Sequence, residues 1–353
     1  MNNYFLDKRI LIISPEPWDS LFVSKHHYAI ELAKNNQVLF TGPPSSRYEK
    51  VSTRYPNVQV LFYKPFVPGL RFLPSVISRY WIRLKLKQLE KMAGGKFDCI
   101  WSFDNSVFFD FSILDPRTLS ICHVVDAAQD FQLATAASTA NLCLGVSEHI
   151  VNKLKQYNKR VYRIAHGVDL VDPLKPVTLP GRNTVKAIYA GNLNSKFLDR
   201  TALFRLMDAF PTVDFIFIGS GGDSWEHREN AFFLGQVDYQ DLPSYLSSAD
   251  IQLLVYDTKR FKEHLTNAHK VLVYLGVGKA IVSSFVGDYA ERNDLLQMSR
   301  TNDDLISTFG QVVENLGFHN SDRQMQIRQQ YASHNTYAKR IAEIDQIVMD
   351  LLS

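Results

Sequence analysis

Short, unbroken apolar runs recur along the chain, most of them separated by stretches with helical spacing. In the first half "RILIIS" (9–14), "QVLFTG" (37–42), "VQVLFY" (58–63), "CIWSF" (99–103), "TLSICHV" (118–124), "LCLGV" (142–146) and "RVYRIAH" (160–166) read as strands, and "FVSKHHYAIELAKNN" as a helix. Continuous runs of this length belong to parallel strands covered on both faces rather than to strands with one wet face. The pattern breaks at "DLVDPLKPVTLPGRNT" (169–184), which carries three prolines and a glycine and no helical period. It restarts with "KAIYAG" (186–191), "VDFIFIGS" (213–220), "AFFLG" (231–235), "IQLLVY" (251–256) and "AIVSS" (280–284). The tail "TYAKRIAEIDQIVMDLL" (336–352) is an amphipathic helix with no strand after it. The expected architecture is α/β: a doubly wound domain over 1–168, a linker over 169–184, a second doubly wound domain over 185–335, and a last helix, 336–353, packing back on the first. Open sheets of this kind bind ligands beyond the carboxyl ends of their strands, so two of them facing each other would hold substrates in a cleft.

A chain of 353 residues suits two such domains, and 46% hydrophobic with 21% charged residues is the composition of a soluble globular protein. A net charge of +3 is too small to point to nucleic acid as a partner. Cys99, Cys122 and Cys143 form no CxxC pair, which argues against a disulfide framework or a zinc site and fits a reducing cytoplasm. No run approaches the ~20 apolar residues of a membrane span, and the start lacks a secretory h-region. One segment changes this picture. In "GLRFLPSVISRYWIRLKLKQLEKMAGGK" (69–96) basic residues, Arg79, Arg83 and Lys87 among them, interleave with aromatics such as Trp81. That is the pattern of a helix lying on an anionic membrane surface, and equally of a domain helix with a solvated basic face.

The clearest candidate chemistry lies in "HLTNAHKVLVYLGVGKAIVSS" (264–284). Thr266 or Asn267 suits a helix N-cap, and Gly278 suits the position just past the end. His269 and Lys270 then fall in the first turn, where a cation opposes the macrodipole of about +0.5 charge unless an anion joins it. A phosphate would resolve the conflict, and a solvated lysine on a capped helix is the plainer alternative. Gly191 in "YAGNLNS" and Gly219 in "IGSGGDS" follow strands, where they could admit a ligand or simply allow a tight turn. Neither stretch is a GxGxxG or a GK[ST] loop, so nicotinamide and P-loop chemistry lose their main support. In "ICHVVDAAQDF", His123, Asp126 and Asp130 sit at or just beyond a strand's carboxyl end, where a carboxylate could act as general base or cap a turn. Glu16 and Trp18 in "SPEPWDS" and His166 in "AHGVD" hold comparable places, lining a cleft or closing turns.

Taken in order, "CHVVDA", "AHGVD", "YAGNLNSKFLD", "AFPTVDFIFIGSG", "FFLGQVDYQDLPSYLSSADI" and "NAHKVLVYLGVGKAIV" resemble the GT-B glycosyltransferases. Within them they resemble the GumK-type membrane-associated glucuronosyltransferases of bacterial exopolysaccharide assembly. The likeness is strongest from about His123 to Ser283. It implies that Asp126 is the general base of an inverting displacement and that Lys270 lies at the donor's phosphate, with Asn267 and His269 beside it. It also implies that Tyr256 is near the nucleotide and that Gly191, Asn192 and Gly219 face the donor. The implied partners are a nucleotide-sugar donor, a lipid-linked glycan acceptor and the inner face of the cell membrane, with no metal or other cofactor. The chain departs from the pattern at Val273, where such enzymes place an acid or a glutamine able to hydrogen-bond the donor's ribose or sugar. A retaining transferase and a non-catalytic nucleotide- or glycan-binding protein are the alternatives.

Overall fold

The apolar runs form strands where their pattern places them. In the computed structural model, which describes residues 3–20, 22–126, 131–170, 175–261, 269–301 and 303–353, the chain divides into two units. The first comprises Met1–His166 with Tyr337–Ser353, and the second Gly167–Thr336.

The first unit holds strands β1 (Arg9–Ile13), β2 (Gln37–Thr41), β3 (Glu49–Ser52), β4 (Val58–Phe62), β5 (Cys99–Ser102), β6 (Leu119–Val124), β7 (Leu142–Gly145) and β8 (Val161–Arg163). They lie in the order β3-β4-β2-β1-β5-β6-β7-β8, parallel throughout except for β3 against β4. Its helices are α1 (Ser24–Leu32), α2 (Ser75–Ala93), α3 (Leu133–Thr139) and α4 (Glu148–Leu154). Successive residues of β1 point to opposite faces, so Leu11 and Ile13 enter one core cluster and Ile10 and Ile12 the other. On α2 the buried residues are Ser78, Ile82, Leu86, Leu89 and Ala93, a stripe at three- and four-residue spacing that packs on the first cluster.

The second unit holds β9 (Val185–Ala190), β10 (Val213–Ile218), β11 (Ala231–Gly235), β12 (Ile251–Leu254), β13 (Ala280–Ser283) and β14 (Gln297–Met298), all parallel, in the order β11-β10-β9-β12-β13-β14. Its described helices are α5 (Arg200–Ala209), α6 (Leu242–Ser247), α7 (Thr258–Phe261), α8 (His269–Val277), α9 (Leu305–Glu314), α10 (Leu316–His319) and α11 (Asp322–Ser333). The stretch expected as a linker is tied to this unit along its described part. Val177 N–H donates to Ser248 Oγ at 2.9 Å, Leu179 is buried, and the Asp214 carboxylate accepts from Asn183 and Lys186. Its prolines remove helical periodicity without making it a free tether.

Helix α12 (Tyr337–Leu352) returns to the first unit. There Phe5 N–H donates to Asp345 Oδ1 at 2.8 Å and Tyr337 stacks on His27 with centroids 5.0 Å apart.

Candidate functional site

In the second unit the site grows from the end of β9. Tyr189 is fully buried in that strand, and the Ala190 N–H donates to Tyr274 Oη on α8 at 2.9 Å, which ties strand to helix. Gly191 follows with a φ of 148° and donates its N–H to Ile218 O at 2.7 Å, so the turns after β9 and β10 lie side by side. They are so close that a Cβ on Gly219 would run into the Gly191 carbonyl. A Cβ on Gly191 would run into Lys270 Nζ, so the glycine there makes room for an ammonium.

Lys270 is the second described residue of α8. Its ammonium donates to Tyr189 Oη at 2.9 Å, lies 4.5 Å from the Tyr189 ring centroid and 6.0 Å from that of Tyr256. Among the described residues no carboxylate stands within ion-pair distance of it. Burial pushes its pKa down to about 8, because the charge has lost water and gained only neutral groups. At the other end of α8 the buried Arg328 guanidinium donates to the carbonyls of Gly278, Leu295 and His319, which fixes where the helix ends. Along the same helix Val273 lines a 330 Å³ cavity with Asp169, Leu170, Tyr239, Leu242 and Gln329.

The structure thus brings Gly191, Gly219, Tyr256 and Lys270 together, with Asn192 exposed on the turn between. Asn267 lies outside the described residues, as do Thr266, Asp130 and the side chain of His269. Tyr189 had no signal of its own in "KAIYAG", since an aromatic in an apolar strand reads as core.

In the first unit Asp126 is exposed two residues beyond the carboxyl end of β6. Its neighbours in the motif are placed differently from expectation. His123 is 1% exposed, packed against Phe103 and accepting at Nδ1 from Trp101 Nε1 at 3.2 Å. Burial, aided by the Lys25 charge, pushes its pKa down to about 3, so it is a neutral core imidazole. Trp18 is likewise a core residue, ringed by Phe22, His26, Phe40 and Tyr55. Strand alternation turns His123 inward, and the apolar area of Trp18 is better buried than wet. The Glu16 carboxylate is engaged by Lys25 Nζ at 3.0 Å and by Ser14 Oγ at 3.2 Å. His166 is half-buried, and its carbonyl accepts from Arg340 Nε at 3.3 Å.

On α2, Arg83 and Lys87 are exposed, Trp81 packs partly against the core, and Arg79 pairs with the buried Asp110 at 2.8 Å. The aromatic and aliphatic groups that do project are Phe72 (78% exposed), Val76 (76%), Tyr80 (62%), Phe131 (51%) and Ile77 (45%). No described helix is long and apolar enough to cross a membrane.

Two mostly parallel sheets of eight and six strands, each covered by helices, define the GT-B fold of glycosyltransferases. The chain is similar over nearly its whole length to a sucrose-phosphate synthase from Thermosynechococcus elongatus, with a TM-score of 0.66, 12% identity and coverage of 98% of this chain and 99% of that one. It is similar to the trehalose-6-phosphate synthase OtsA (TM-score 0.64, 12% identity, 98% and 99% covered). It is also similar to Anabaena HepE in complex with UDP (TM-score 0.65, 14% identity, 97% and 100% covered). HepE has been solved with UDP-glucose as well. At these identities the likeness is one of fold. No family model matches the chain, and no curated protein matches it in sequence.

Proposed function

We propose that the protein is a metal-independent, inverting glycosyltransferase that moves a sugar from a nucleoside diphosphate sugar to a hydroxyl of a lipid-linked glycan in bacterial surface or exported polysaccharide assembly. The observation that carries this reading is Lys270: a half-buried cation at a glycine turn, with no acid partner among the described residues. An anion is the ligand that such a group lacks, and a diphosphate at the start of α8 supplies it. UDP and UDP-glucose bound to the similarly folded HepE support a donor of that class.

In the reaction Asp126 takes the proton of the acceptor hydroxyl, and the resulting oxygen attacks the anomeric carbon. The bond from that carbon to the diphosphate breaks, its electron pair leaves on the phosphate oxygen, and Lys270 with the first turn of α8 stabilises the charge that develops. Glu16 is unsuited to the base's role because Lys25 already holds its carboxylate. The exposed Phe72, Val76 and Tyr80, beside Arg71, Arg83 and Lys87, suit an anionic bilayer and support a peripheral place at the inner membrane face, where a lipid-linked acceptor is found.

Asp126→Ala is expected to lose transfer by about 10²–10⁴-fold while keeping nucleotide affinity. Full activity in that variant ends the role given to Asp126. Co-sedimentation with phosphatidylglycerol vesicles, lost on Phe72→Ser with Val76→Ser, checks the membrane reading. Val273 favours one second reading, a nucleotide-binding protein without turnover, because valine gives a ribose or sugar no hydrogen bond. Nucleotide binding with no transfer or hydrolysis across a panel of nucleotide sugars, with lipid acceptors present, decides for it.

A further inference from the structure

We infer that Tyr189 is a positioning residue for the donor's diphosphate: its hydroxyl and ring face hold the Lys270 ammonium against the Gly191 turn. This inference rests on the donor site proposed above and adds a residue that neither the sequence motifs nor the resemblance assigns.

A lysine side chain has four rotatable bonds, so an ammonium that must meet a phosphate in one place needs an anchor. A carboxylate would anchor it well, but it would also neutralise the charge and compete with the phosphate. Tyr189 anchors it without either drawback. Its hydroxyl oxygen accepts from Nζ at 2.9 Å and its ring lies 4.5 Å from Nζ, within the range of a cation–π contact. Burial raises the tyrosine's own pKa, so the hydroxyl stays protonated and adds no negative charge.

The anchor is rigid. Tyr189 is fully buried in β9, paired on one side with Phe217 of β10, in a cluster with Leu203, Phe215 and Leu253. The space that the ammonium takes up is the space a side chain at 191 would fill. Two independent features, a glycine with positive φ and a tyrosine fixed in the preceding strand, therefore define one position for Nζ.

The other groups around Lys270 are consistent with this. Tyr256, after β12, presents its ring at 6.0 Å. Tyr274, on α8 itself, has its hydroxyl occupied by the Ala190 N–H. From β9 and from the end of β12 the described side chains facing the ammonium are tyrosines. Among the described residues the charge is therefore held in place without being cancelled.

The test is calorimetric titration with whichever of UDP, dTDP, GDP, ADP and CDP binds most tightly, from pH 6.5 to 9. Wild type is compared with Lys270→Ala, Tyr189→Phe and Tyr189→Leu. Tyr189→Phe keeps the ring and the fold but removes the acceptor. It is expected to weaken binding about tenfold, the scale of one hydrogen bond to a charged group. The falling limb of its pH profile should move to lower pH, because the protonated lysine has lost a partner. Tyr189→Leu, which loses the ring as well, should weaken binding further. Wild-type affinity and an unshifted pH profile in Tyr189→Phe overturn the inference, provided that Lys270→Ala has lost affinity. If Lys270→Ala binds like wild type, or if no nucleotide binds at all, the donor-site reading itself falls.

Discussion

Two lysines make an instructive pair. Lys25 is the second residue of α1 in the first unit, and Lys270 is the second described residue of α8 in the second. Lys25 sits in the first turn of its helix, where the dipole disfavours a cation, and Lys270 sits at the start of the described part of its own. Around Lys25 the chain answers the charge itself: Glu16 closes an ion pair at 3.0 Å and the lysine side chain is only 6% exposed. Around Lys270 the described chain offers tyrosines instead, and the ammonium is held by a hydroxyl and a ring. One lysine thus completes a fold, and the other, on the donor-site proposal, keeps its charge for a ligand.

Substitutions separate the two. Lys270→Met should reduce nucleoside diphosphate affinity by about 100-fold, the scale of a strong charge-assisted contact. It should leave the melting temperature of the unliganded protein unchanged or raised, since it removes a half-buried charge with no acid partner among the described residues. Glu16→Ala should do the reverse. It leaves Lys25 buried and unpaired, and should destabilise the protein by about 2 kcal/mol, below the range for fully buried pairs because Glu16 is partly exposed. Nucleotide affinity should not change in Glu16→Ala; a loss matching that of Lys270→Met would break the comparison.

A pH titration sharpens it. Below a pH of about 8 Lys270 is protonated and, on the donor-site proposal, should attract a diphosphate, and above it the affinity should fall by up to tenfold per unit. Unliganded stability moves the other way. The folded pKa lies below the lysine's ordinary value near 10.5, so between these two pH values the unfolded chain binds more protons. This group's contribution to stability therefore rises with pH across that window. Calorimetry and thermal melting at the same pH values check both signs.

The smallest effect expected is at Val273. Val273→Gln should tighten binding of a ribonucleoside diphosphate by about threefold to fivefold, one modest hydrogen bond, without the same gain for its 2′-deoxy counterpart. No change, or an equal gain for both, argues that position 273 does not face the ribose.

What the sequence revealed follows from how strongly burial shapes it. β1 and β10 were legible because "RILII" and "VDFIFI" are continuous apolar runs, the mark of strands covered on both faces. β3, "EKVS", escaped notice because it is an exposed edge strand antiparallel to β4, held by backbone pairing with no apolar pattern. Among the candidate site residues, Gly191 and Lys270 were legible as a turn glycine and a first-turn cation, and the structure brings them into contact. Tyr189 was not, since its role depends on a partner 81 positions away. His123 and Trp18 looked polar or accessible in their motifs, and only the packing of β6 and of the aromatic cluster around Phe40 shows both to be core.

The path of the chain has a consequence for how the protein is made. Its first unit is begun by residue 9 but is covered on one face by α12, which is synthesised only after the whole second unit. The second unit is continuous, Gly167 to Thr336, and Val168 N–H donates to Asn335 O at 3.0 Å to join its two ends. On a growing chain the later unit can finish folding while the earlier one still lacks a wall, with Tyr28 and His27 waiting for Tyr337. The unit begun first is thus completed after the second. Truncation within α12 would damage the first unit, far back along the chain, rather than the second unit that adjoins it in sequence.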